Sequence, residues 1–281
     1  MSERLDHLAG MAKLLAVMAR LRDPENGCPW DVEQTFDTIA PYTIEEAHEV
    51  AEAIRNADMG ELRDELGDLL LQVVYHARMA EEAGHFDFER VARHVADKMI
   101  DRHPHVFGNE VVGTAEAQTA NWEAQKARER AERAARHGRE PSVLEGIALG
   151  LPALMRAWKL QKRAARVGFD WPDARAVLAK VDEELGEVRA EIAAGAPTHR
   201  LHDEIGDVLF TIANLARKLD VDPEDALRAT NAKFERRFRH LERQLAAEGR
   251  DPASCDLDTL EARWTAAKAA ERGPGEPPEE S

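Results

Sequence analysis

The sequence predicts an all-α protein built from two tandem helical-bundle domains. An acidic motif occurs twice, apolar residues recur at intervals of three and four near each copy, and no strand-like alternation interrupts the pattern. The motif reads Glu45-Glu46-x-x-Glu49 then Glu65-x-Gly67-Asp68 in the first copy, and Glu183-Glu184-x-x-Glu187 then Glu204-x-Gly206-Asp207 in the second. The recurrence indicates that a whole domain has been duplicated.

The spacing of the acidic residues predicts a metal site in each copy. Residues three apart, such as Glu184 and Glu187, lie on one face of a helix. Two such helices packed together would bring four carboxylates to one point, where a cation would offset their repulsion. Oxygen ligands at this density suit Mg²⁺, with Mn²⁺ as a second choice. The predicted metal ligands are Glu46, Glu49, Glu65 and Asp68 in the first copy, and Glu184, Glu187, Glu204 and Asp207 in the second. The alternative is a merely solvated acidic face.

The length of 281 residues fits about two domains. We expect a first domain over residues 1–130, a charged linker over 131–141 and a second domain over 142–272. The tail, residues 273–281, is rich in Pro, Gly and Glu and is expected to be disordered.

The charge and composition of the chain disfavour several classes of function. With 54 acidic and 38 basic residues, the formal charge of −16 disfavours a nucleic-acid polymer as partner, although a small anion held through metal is still allowed. Cys28 and Cys255 are too few for a disulfide framework or a zinc site, so both are expected to be packed thiols. Without a signal-like start or a run approaching ~18 apolar residues, we expect a soluble, cytoplasmic protein with no membrane partner.

Local patterns place the first helices. Apolar spacing predicts a helix from Leu5 to Arg22, and the prolines and Asn-Gly pair after it predict a loop over residues 23–31. Trp30 in that loop is expected to plug the core, with base stacking as the alternative. Pro41 and Thr43 are expected to mark the start of the first acidic helix, with Thr43 and Glu46 in capping-box spacing.

The helices that follow each E-x-G-D segment carry matching apolar stripes. These stripes are expected to be buried beside the carboxylates, and they run from Leu66 to Ala77 and from Ile205 to Ala216. Gly67 and Gly206 cost about 1 kcal/mol each in mid-helix, which favours close helix approach or ligand space as their reason. Ser142, with Glu145, is expected to cap the helix that opens the second domain.

In combination, these motifs resemble those of the MazG family of nucleoside triphosphate pyrophosphohydrolases. Both copies meet its E-E-x-x-E, spacer, E-x-x-D pattern, and further similar segments are Gly27-Cys28-Pro29-Trp30-Asp31, Arg102-His103-Pro104-His105-Val106-Phe107 and Lys233-Phe234-Glu235-Arg236-Arg237-Phe238. The resemblance covers about residues 5 to 272. It implies an all-α homodimer that uses Mg²⁺ to split nucleoside triphosphates into monophosphate and pyrophosphate, for nucleotide-pool housekeeping or stress-related nucleotide control.

The resemblance also implies roles for residues of the second copy. Glu184, Glu187, Glu204 and Asp207 would form the catalytic metal site, and the nucleotide would meet Lys180, Arg200, Lys233, Arg236, Arg237 and Trp264. Such roles are chemically reasonable, since a triphosphate needs Lys and Arg as counter-charges and an indole offers a face for stacking a base.

The first copy departs from this pattern at three cations. Tyr42 stands in place of Lys180, Glu61 in place of Arg200 and Asp101 in place of Arg236, although Lys98, Arg102 and Trp122 match their counterparts. We therefore expect the second domain to carry the main catalytic site, while the first domain keeps a metal-binding set.

Three other interpretations compete with this one. Glu45-x-x-His48 suggests a di-iron bundle, but Gly186 occupies the position of His48 in the second copy. His202-Asp203 suggests a metal-dependent phosphohydrolase, but the first copy has Arg63-Asp64 there. A non-enzymatic helical scaffold is the third, and it would not need the four-carboxylate set twice. His103 and His105 are expected to cap or pack a turn rather than bind metal.

Overall fold

The protein is entirely helical in the part of the chain that the structure describes. A computed structural model describes residues 5–109, 114–136, 138, 140 and 142–271, and every regular element in these ranges is a helix. This confirms the predicted all-α class. The chain divides into two compact units, Met1–Gln125 (unit 1) and Lys126–Ser281 (unit 2).

Unit 1 contains two long helices and several shorter ones. A 3₁₀ turn at Leu5–His7 precedes its helices, which are α1 (Gly10–Leu21), α2 (Pro29–Glu33), α3 (Phe36–Asn56), α4 (Met59–Glu82), α5 (Phe88–Asp101) and α6 (Pro104–Phe107). Helix α7 (Ala115–Arg136) contains the boundary between the units and includes the start of the segment expected to be a linker. Helix α3 packs along α4, and α1 packs on α4.

Unit 2 is organised around a second long hairpin. Its helices are α8 (Ala153–Ala165), α9 (Ala174–Ala193), α10 (Thr198–Lys218), α11 (Pro223–Ala247) and α12 (Leu257–Glu271), with a 3₁₀ turn at Pro252–Ser254 before the last. Helix α9 packs along α10, α8 packs on α10, and α12 packs on α11. The two helices that carry the acidic motif are therefore packed against each other in both units.

Capping residues define the short turns that connect the two helices of each acidic motif. Ala57 ends α3 in the left-handed region, with φ at +55°, and Asp58 caps α4 by accepting from the backbone N–H groups of Gly60 and Glu61. In unit 2, Gly195, with φ at +64°, lies in the slightly longer turn between α9 and α10. Short connections of this kind make consecutive helices antiparallel neighbours.

The core of unit 1 lies where α1, α3 and α4 meet. It consists of Met18, Ile39, Val74, Tyr75 and Met79, with partly buried apolar side chains from α1 and α5 packed around it. Burial of a side chain of this size stabilises the fold by about 1.5–3 kcal/mol. The core therefore fixes α4, which carries half of the first acidic motif.

A buried arginine ties three helices of unit 1 together. Arg22, directly after α1, bonds Glu82 at the end of α4 through Nη2 at 2.7 Å, and its Nη1 donates to the carbonyl of Asp31 in α2 at 2.5 Å. Its guanidinium also lies 5.4 Å from the ring centroid of Tyr75. Burial alone would raise the pKa of Glu82, but hydrogen bonds from Arg22 and Arg78 outweigh burial and leave that pKa lowered.

Several predicted helix boundaries are wrong. Helix α1 begins at Gly10 rather than at Leu5. Helix α3 begins at Phe36, not at Pro41, because Thr35 and Thr38 form a reciprocal capping box one turn earlier. Pro41 therefore lies inside the helix. Helix α2 occupies the end of the predicted loop, where Pro29 provides a favourable first helical residue.

The predicted cap at Ser142 is also wrong. Ser142 Oγ accepts from the N–H of Leu144, but the segment only makes a turn and α8 does not begin until Ala153. Gly146, with φ at +80°, interrupts any helix between them.

The predicted apolar stripes are buried only in part. Val74, Ala77 and Ala213 are buried, whereas other positions of the same stripes are exposed: Leu66, Leu70 and Val73 on α4, and Ile205, Leu209 and Ile212 on α10. Trp30 is 52% exposed and meets Tyr42 edge-on at 6.4 Å instead of plugging the core. Packing among the described residues of each unit therefore explains only part of its stripe.

The two mid-helix glycines of the acidic motif are not in close contact with a neighbouring helix. A Cβ on Gly67 or Gly206 would meet no atom of the described structure within 4 Å, so close helix approach does not explain them.

Cys28 and Cys255 are free thiols of intermediate burial. The expected disordered tail, 273–281, lies outside the described residues. Among the described helices, none is long and apolar enough to cross a membrane.

Replacing Arg22 by Met should lower the free energy of unfolding by about 2–4 kcal/mol, since it leaves Glu82 without its buried partner. Because the pKa of Glu82 is lowered in the folded protein, this contribution is present above the ordinary carboxyl pKa, about 4.3, and is lost as the pH falls through the lowered value. Urea unfolding of both proteins across this pH range measures the difference.

The matched control is Arg63→Met, which breaks an ion pair to Asp64 whose side chains are 79% and 63% exposed. It should change stability by less than about 1 kcal/mol. An equal effect of the two substitutions would show that the Arg22 network does not hold unit 1 together.

Candidate active site

In unit 2 the helix hairpin brings together carboxylates from both of its arms. Glu184 lies in the middle of α9, and Glu204 and Asp207 lie in the N-terminal half of α10. Oxygen atoms of these three side chains all lie within 4.8 Å of one another. Glu184 is 5% exposed, whereas Asp207 is exposed, so the group is open to solvent on one side. The structure thus assembles three of the four predicted ligands of this copy.

Glu187 lies at the edge of this group. It is exposed and one turn beyond Glu184 on α9. Partial desolvation and then the charges of Glu184 and Glu204 raise the pKa of Glu187 above its ordinary value, while Lys180 opposes this effect. Glu187, the fourth predicted ligand, is therefore close enough to interact electrostatically with the other carboxylates.

Two of the six predicted nucleotide-binding residues contact the carboxylates directly. Lys180 Nζ lies 2.9 Å from Glu184 Oε1 and 2.8 Å from Glu183 Oε1, and these hydrogen bonds raise the pKa of Lys180. Arg200 Nη2 lies 3.6 Å from Glu204 Oε1 and 2.5 Å from Glu191 Oε1. Each cation lies one turn before its carboxylate, so the helix itself fixes the pairing.

The other four predicted nucleotide-binding residues lie on α11 and α12. Arg236 and Arg237 each bond one oxygen of Glu271 through Nε, at 2.6 and 2.7 Å, and together they lower the pKa of Glu271. Trp264 packs against Phe234, with ring centroids 5.1 Å apart. Lys233 is exposed. In the described part of unit 2, no ion pair joins Lys233, Arg236 or Arg237 to a carboxylate of the acidic motif.

Unit 1 has a carboxylate group at the equivalent place. Oxygen atoms of Glu46, Glu49 and Glu65 lie within 4.8 Å of one another. Asp68 is outside this group of three, although its charge adds to the effect of desolvation in raising the pKa values of Glu46 and Glu65. The structure therefore assembles three of four predicted ligands here as well.

The positions that hold cations in unit 2 are occupied differently in unit 1. Tyr42, one turn before Glu46, contacts Trp30, and Glu61, one turn before Glu65, adds a further negative charge. Within the described residues none of the four motif carboxylates of unit 1 pairs with Lys or Arg, whereas two of those in unit 2 do. The difference between the copies noted in the sequence is therefore also present in the contacts.

Both groups have the chemistry of a hard-cation site. Each offers only carboxylate oxygens, from two rigid helices, at distances that a single ion could bridge. In unit 2 a nearly fully buried carboxylate, Glu184, belongs to the set, and charge compensation there is incomplete because Lys180 is shared with Glu183. The residues present thus fit a divalent cation such as Mg²⁺.

The competing interpretations find little support in the contacts. Glu45 and His48 are both exposed and belong to neither carboxylate group. His202 and Asp203 lie 3.7 Å apart with largely exposed side chains. His103 donates through Nδ1 to the carbonyl of Met99 at 2.6 Å and meets Trp122 edge-on, as expected for a packed turn.

Comparison with known proteins identifies the family. The model of the MazG nucleotide pyrophosphohydrolase domain matches the chain twice, at residues 34–107 and 173–242. The chain belongs to the MazG family. A nucleoside triphosphate pyrophosphohydrolase of Escherichia coli (strain K12) is 50% identical to it over 92% of this chain and 97% of its own length. The nucleoside triphosphate pyrophosphohydrolase/pyrophosphatase MazG of Thermotoga maritima is 41% identical over 92% and 96%, and a Mycobacterium tuberculosis relative is 34% identical over 84% and 59%.

The two MazG domain matches include every residue of the two carboxylate groups, but they end before Trp122 and Trp264. The residues that sequence reasoning missed are partners of the predicted ones: Glu183, Glu191, Glu271 and Gln72. Two of them had a signal in the sequence: Glu183 belongs to the repeated acidic motif, and the segment from Trp264 to Glu271 repeats the one from Trp122 to Glu129.

Proposed function

We propose that this MazG protein catalyses the Mg²⁺-dependent hydrolysis of nucleoside triphosphates to nucleoside monophosphate and pyrophosphate, with unit 2 as the main catalytic unit. Mn²⁺ would serve as an alternative ion. The observation that carries the proposal is the convergence of Glu184, Glu204 and Asp207 within 4.8 Å, with Lys180 and Arg200 attached to two of them. Relatives named for this reaction support it over a non-enzymatic scaffold.

The carboxylates of unit 2 would hold the ion, with Glu187 joining the three that already converge. When bound, the ion would supply an activated water and would neutralise charge on the phosphates. Because it would also compensate Glu184 and Glu204, their own cations would become available. Lys180 and Arg200 would then turn from carboxylate to phosphate oxygens, with Lys acting as a point charge and Arg as a bidentate donor.

Arg236, Arg237 and Lys233 would bind the two outer phosphates. Glu271 accepts hydrogen bonds from the Nε atoms of the two arginines, and their Nη groups would donate to the phosphate oxygens. Negative charge grows on the outer phosphates as the bond to the inner phosphate breaks, so fixed cations there stabilise the transition state more than the ground state. Trp264, already half of an aromatic pair with Phe234, offers a face for the base.

A homodimer is part of the proposal. Leu66, Leu70 and Val73 on α4 are exposed, and so are Ile205, Leu209 and Ile212 at the corresponding positions of α10. Apolar rows that recur at one register of both motif helices are typical of surfaces that a partner chain covers. In the cell, the reaction would serve nucleotide-pool housekeeping or stress-related nucleotide control.

Neutralising one ligand in each unit tests the proposed division between them. Glu204→Gln or Asp207→Asn should lower kcat/KM for triphosphates by more than about a hundredfold, since the ion loses a ligand. Glu65→Gln and Asp68→Asn are the matched substitutions in unit 1 and should leave most of the activity. Pyrophosphate release measures both, and equal losses in the two pairs would contradict the division.

Hydrolysis in ¹⁸O-labelled water identifies the bond that breaks. If attack occurs at the phosphorus next to the nucleoside, label should appear in the nucleoside monophosphate and not in pyrophosphate, as mass spectrometry of the products would show. Label in pyrophosphate, or release of orthophosphate, would mean that the attack point is wrong.

Sedimentation equilibrium should give about twice the chain mass of 31.4 kDa. Leu70→Glu with Leu209→Glu should shift the protein toward monomer, because a charge in an apolar interface is costly. Leu257→Glu, an exposed leucine outside these rows, serves as the control. A wild-type protein that is monomeric and fully active would refute the dimer.

A further inference from the structure

A cavity in unit 1 lies beside the turn that joins α4 to α5. Its volume is about 430 Å³, which is within the range of about 300–1,000 Å³ typical of small-molecule pockets. The residues that line it are His85, Phe86, Arg90, Val91 and His94. Asp68 of the acidic motif lies roughly 20 Å before Glu82, the last residue of α4, given the rise of an α-helix. The cavity is therefore separate from the carboxylate set of unit 1.

The lining of the cavity combines apolar and basic side chains. Phe86 is an exposed aromatic residue, and Val91 is partly buried. Arg90 and His94 are exposed and one turn apart, so they lie on the same face of α5. Because the chain has a formal charge of −16, an arginine and two imidazoles around one cavity form a local exception to its acidic character. Such a lining suits an anion that also has an apolar part.

The basic side chains of the cavity are available to a ligand. Within the described part of unit 1, no hydrogen bond or ion pair engages the side chains of the three basic lining residues. The carboxylates next to them in sequence have other partners. Glu89 is paired with Arg93 at 3.1 Å, and Asp87 caps α5 by accepting from the backbone N–H of Arg90 at 2.8 Å. The guanidinium and both imidazoles can therefore donate to a bound anion.

Arg90 occupies a position where a cation disfavours the helix. It is the third residue of α5, and the dipole at a helix N-terminus favours acidic side chains there. The corresponding residue of unit 2 is acidic, since Asp225 follows the cap of α11, Asp222, by the interval at which Arg90 follows Asp87. The stability of α5 therefore does not explain Arg90, which favours a binding role for it.

The turn beside the cavity also differs between the units. In unit 1 the N–H of His85 donates to the carbonyl of Ala80 at 2.9 Å. In unit 2 the N–H of Val221 donates to the carbonyl of Ala216 at 2.8 Å, so Val221 takes the place of His85. The cap of the next helix follows Val221 directly, whereas Phe86 is inserted before the cap in unit 1. An imidazole and a ring have thus been added to the same type of turn.

His94, the remaining basic residue, corresponds to an alanine of unit 2. Ala229 stands at its position in the register that matches Lys98 with Lys233. None of the four residues that give the cavity its ring and its basic groups is therefore repeated in unit 2, although the acidic motif is. Because the shared helical fold does not require these residues, they point to a role of unit 1 alone.

We propose that this cavity binds a small organic phosphate that carries a planar ring. The ring packs against Phe86 and Val91, and the phosphate oxygens accept hydrogen bonds from Arg90 and the two histidines. Arginine donates to two oxygens of a phosphate at once, and a phosphate monoester offers a third oxygen to imidazole, whereas a carboxylate has only two. The site belongs to unit 1 and does not depend on the reaction proposed for unit 2.

Isothermal titration calorimetry of the full-length protein with phenyl phosphate tests the cavity. EDTA is present, so that no divalent ion occupies the carboxylate sets. We expect one bound molecule per chain, and at least about tenfold weaker binding by the double variant Arg90→Asp with His94→Ala, which lacks two of the donors. No binding to the wild-type protein, or equal affinity of the two proteins, would refute the site.

The double variant should fold, because unit 2 has aspartate and alanine at the same helix positions, and circular dichroism checks this. The control is Arg93→Met, which removes an arginine of the same helix that is paired with Glu89. It should bind phenyl phosphate as tightly as the wild-type protein does. A loss as large as that of the double variant would show a general effect of charge and would overturn the proposal.

Proton–carbon NMR spectra of the histidine rings locate the bound phosphate in the wild-type chain. The sequence has 11 histidines, and the signals of the two in the cavity can be assigned from His85→Gln and His94→Gln. Phenyl phosphate should shift these two signals and leave that of His202, an exposed histidine of unit 2, unchanged. Binding that moves neither cavity signal would place the phosphate elsewhere and refute the site.

Fragments of the ligand test its chemical class. Inorganic phosphate and benzoate should each bind at least about tenfold more weakly than phenyl phosphate, because the first lacks the ring and the second lacks the third oxygen. Equal affinity for either fragment would overturn the proposed class. Adenosine 5′-monophosphate, followed through the same histidine signals, identifies the source: tighter binding than phenyl phosphate supports a nucleotide, and weaker binding supports a phosphate with a smaller ring.

Discussion

Repulsion among carboxylates held at the same point of a helix hairpin is the constraint on which the rest of the site depends. Helices α9 and α10 hold Glu184, Glu204 and Asp207 within 4.8 Å, and α3 and α4 do the same for Glu46, Glu49 and Glu65. The helix backbones fix where these side chains begin, so only rotamer changes of the carboxylates can relieve the repulsion without moving the helices. The repulsion lowers the stability of each hairpin. Because a bound cation would relieve it, the same repulsion increases the affinity of the site for cations.

Duplication let one backbone arrangement acquire two electrostatic environments. The position one turn before the first ligand is Lys180 in unit 2 and Tyr42 in unit 1, and the position one turn before the third is Arg200 or Glu61. None of these exchanges requires the helices to change, because all four residues lie on helix surfaces next to the carboxylates. Charge at these positions could therefore diverge while the fold of each unit was kept.

The sequence was sufficient for the helical class, the duplication and three of the four members of each carboxylate group, because these depend on helical spacing and on a motif that recurs. The sequence was less informative about features that depend on contacts between residues far apart in the chain. Helix α3 starts at the Thr35–Thr38 cap, which lies one turn before the Pro41 signal, and Trp30 is exposed although its apolar character alone predicts a core position. The pairing of Arg236 and Arg237 with Glu271 could not be derived from helical spacing, since it joins two helices.

Glu271 has a consequence for selectivity in the proposed reaction. By bonding both guanidinium groups it keeps two like charges side by side before any ligand arrives. In the proposed reaction the phosphates would bind the Nη groups of Arg236 and Arg237 while Glu271 stays bonded to the two Nε atoms, so neither arginine would have to be reoriented. A chain of phosphates would contact both guanidinium groups at once, whereas a monophosphate would gain the contacts of only one, so the fixed pair would favour the longer ligand. Once the chain of phosphates is cut, the monophosphate fragment would lose this advantage and would rebind less favourably.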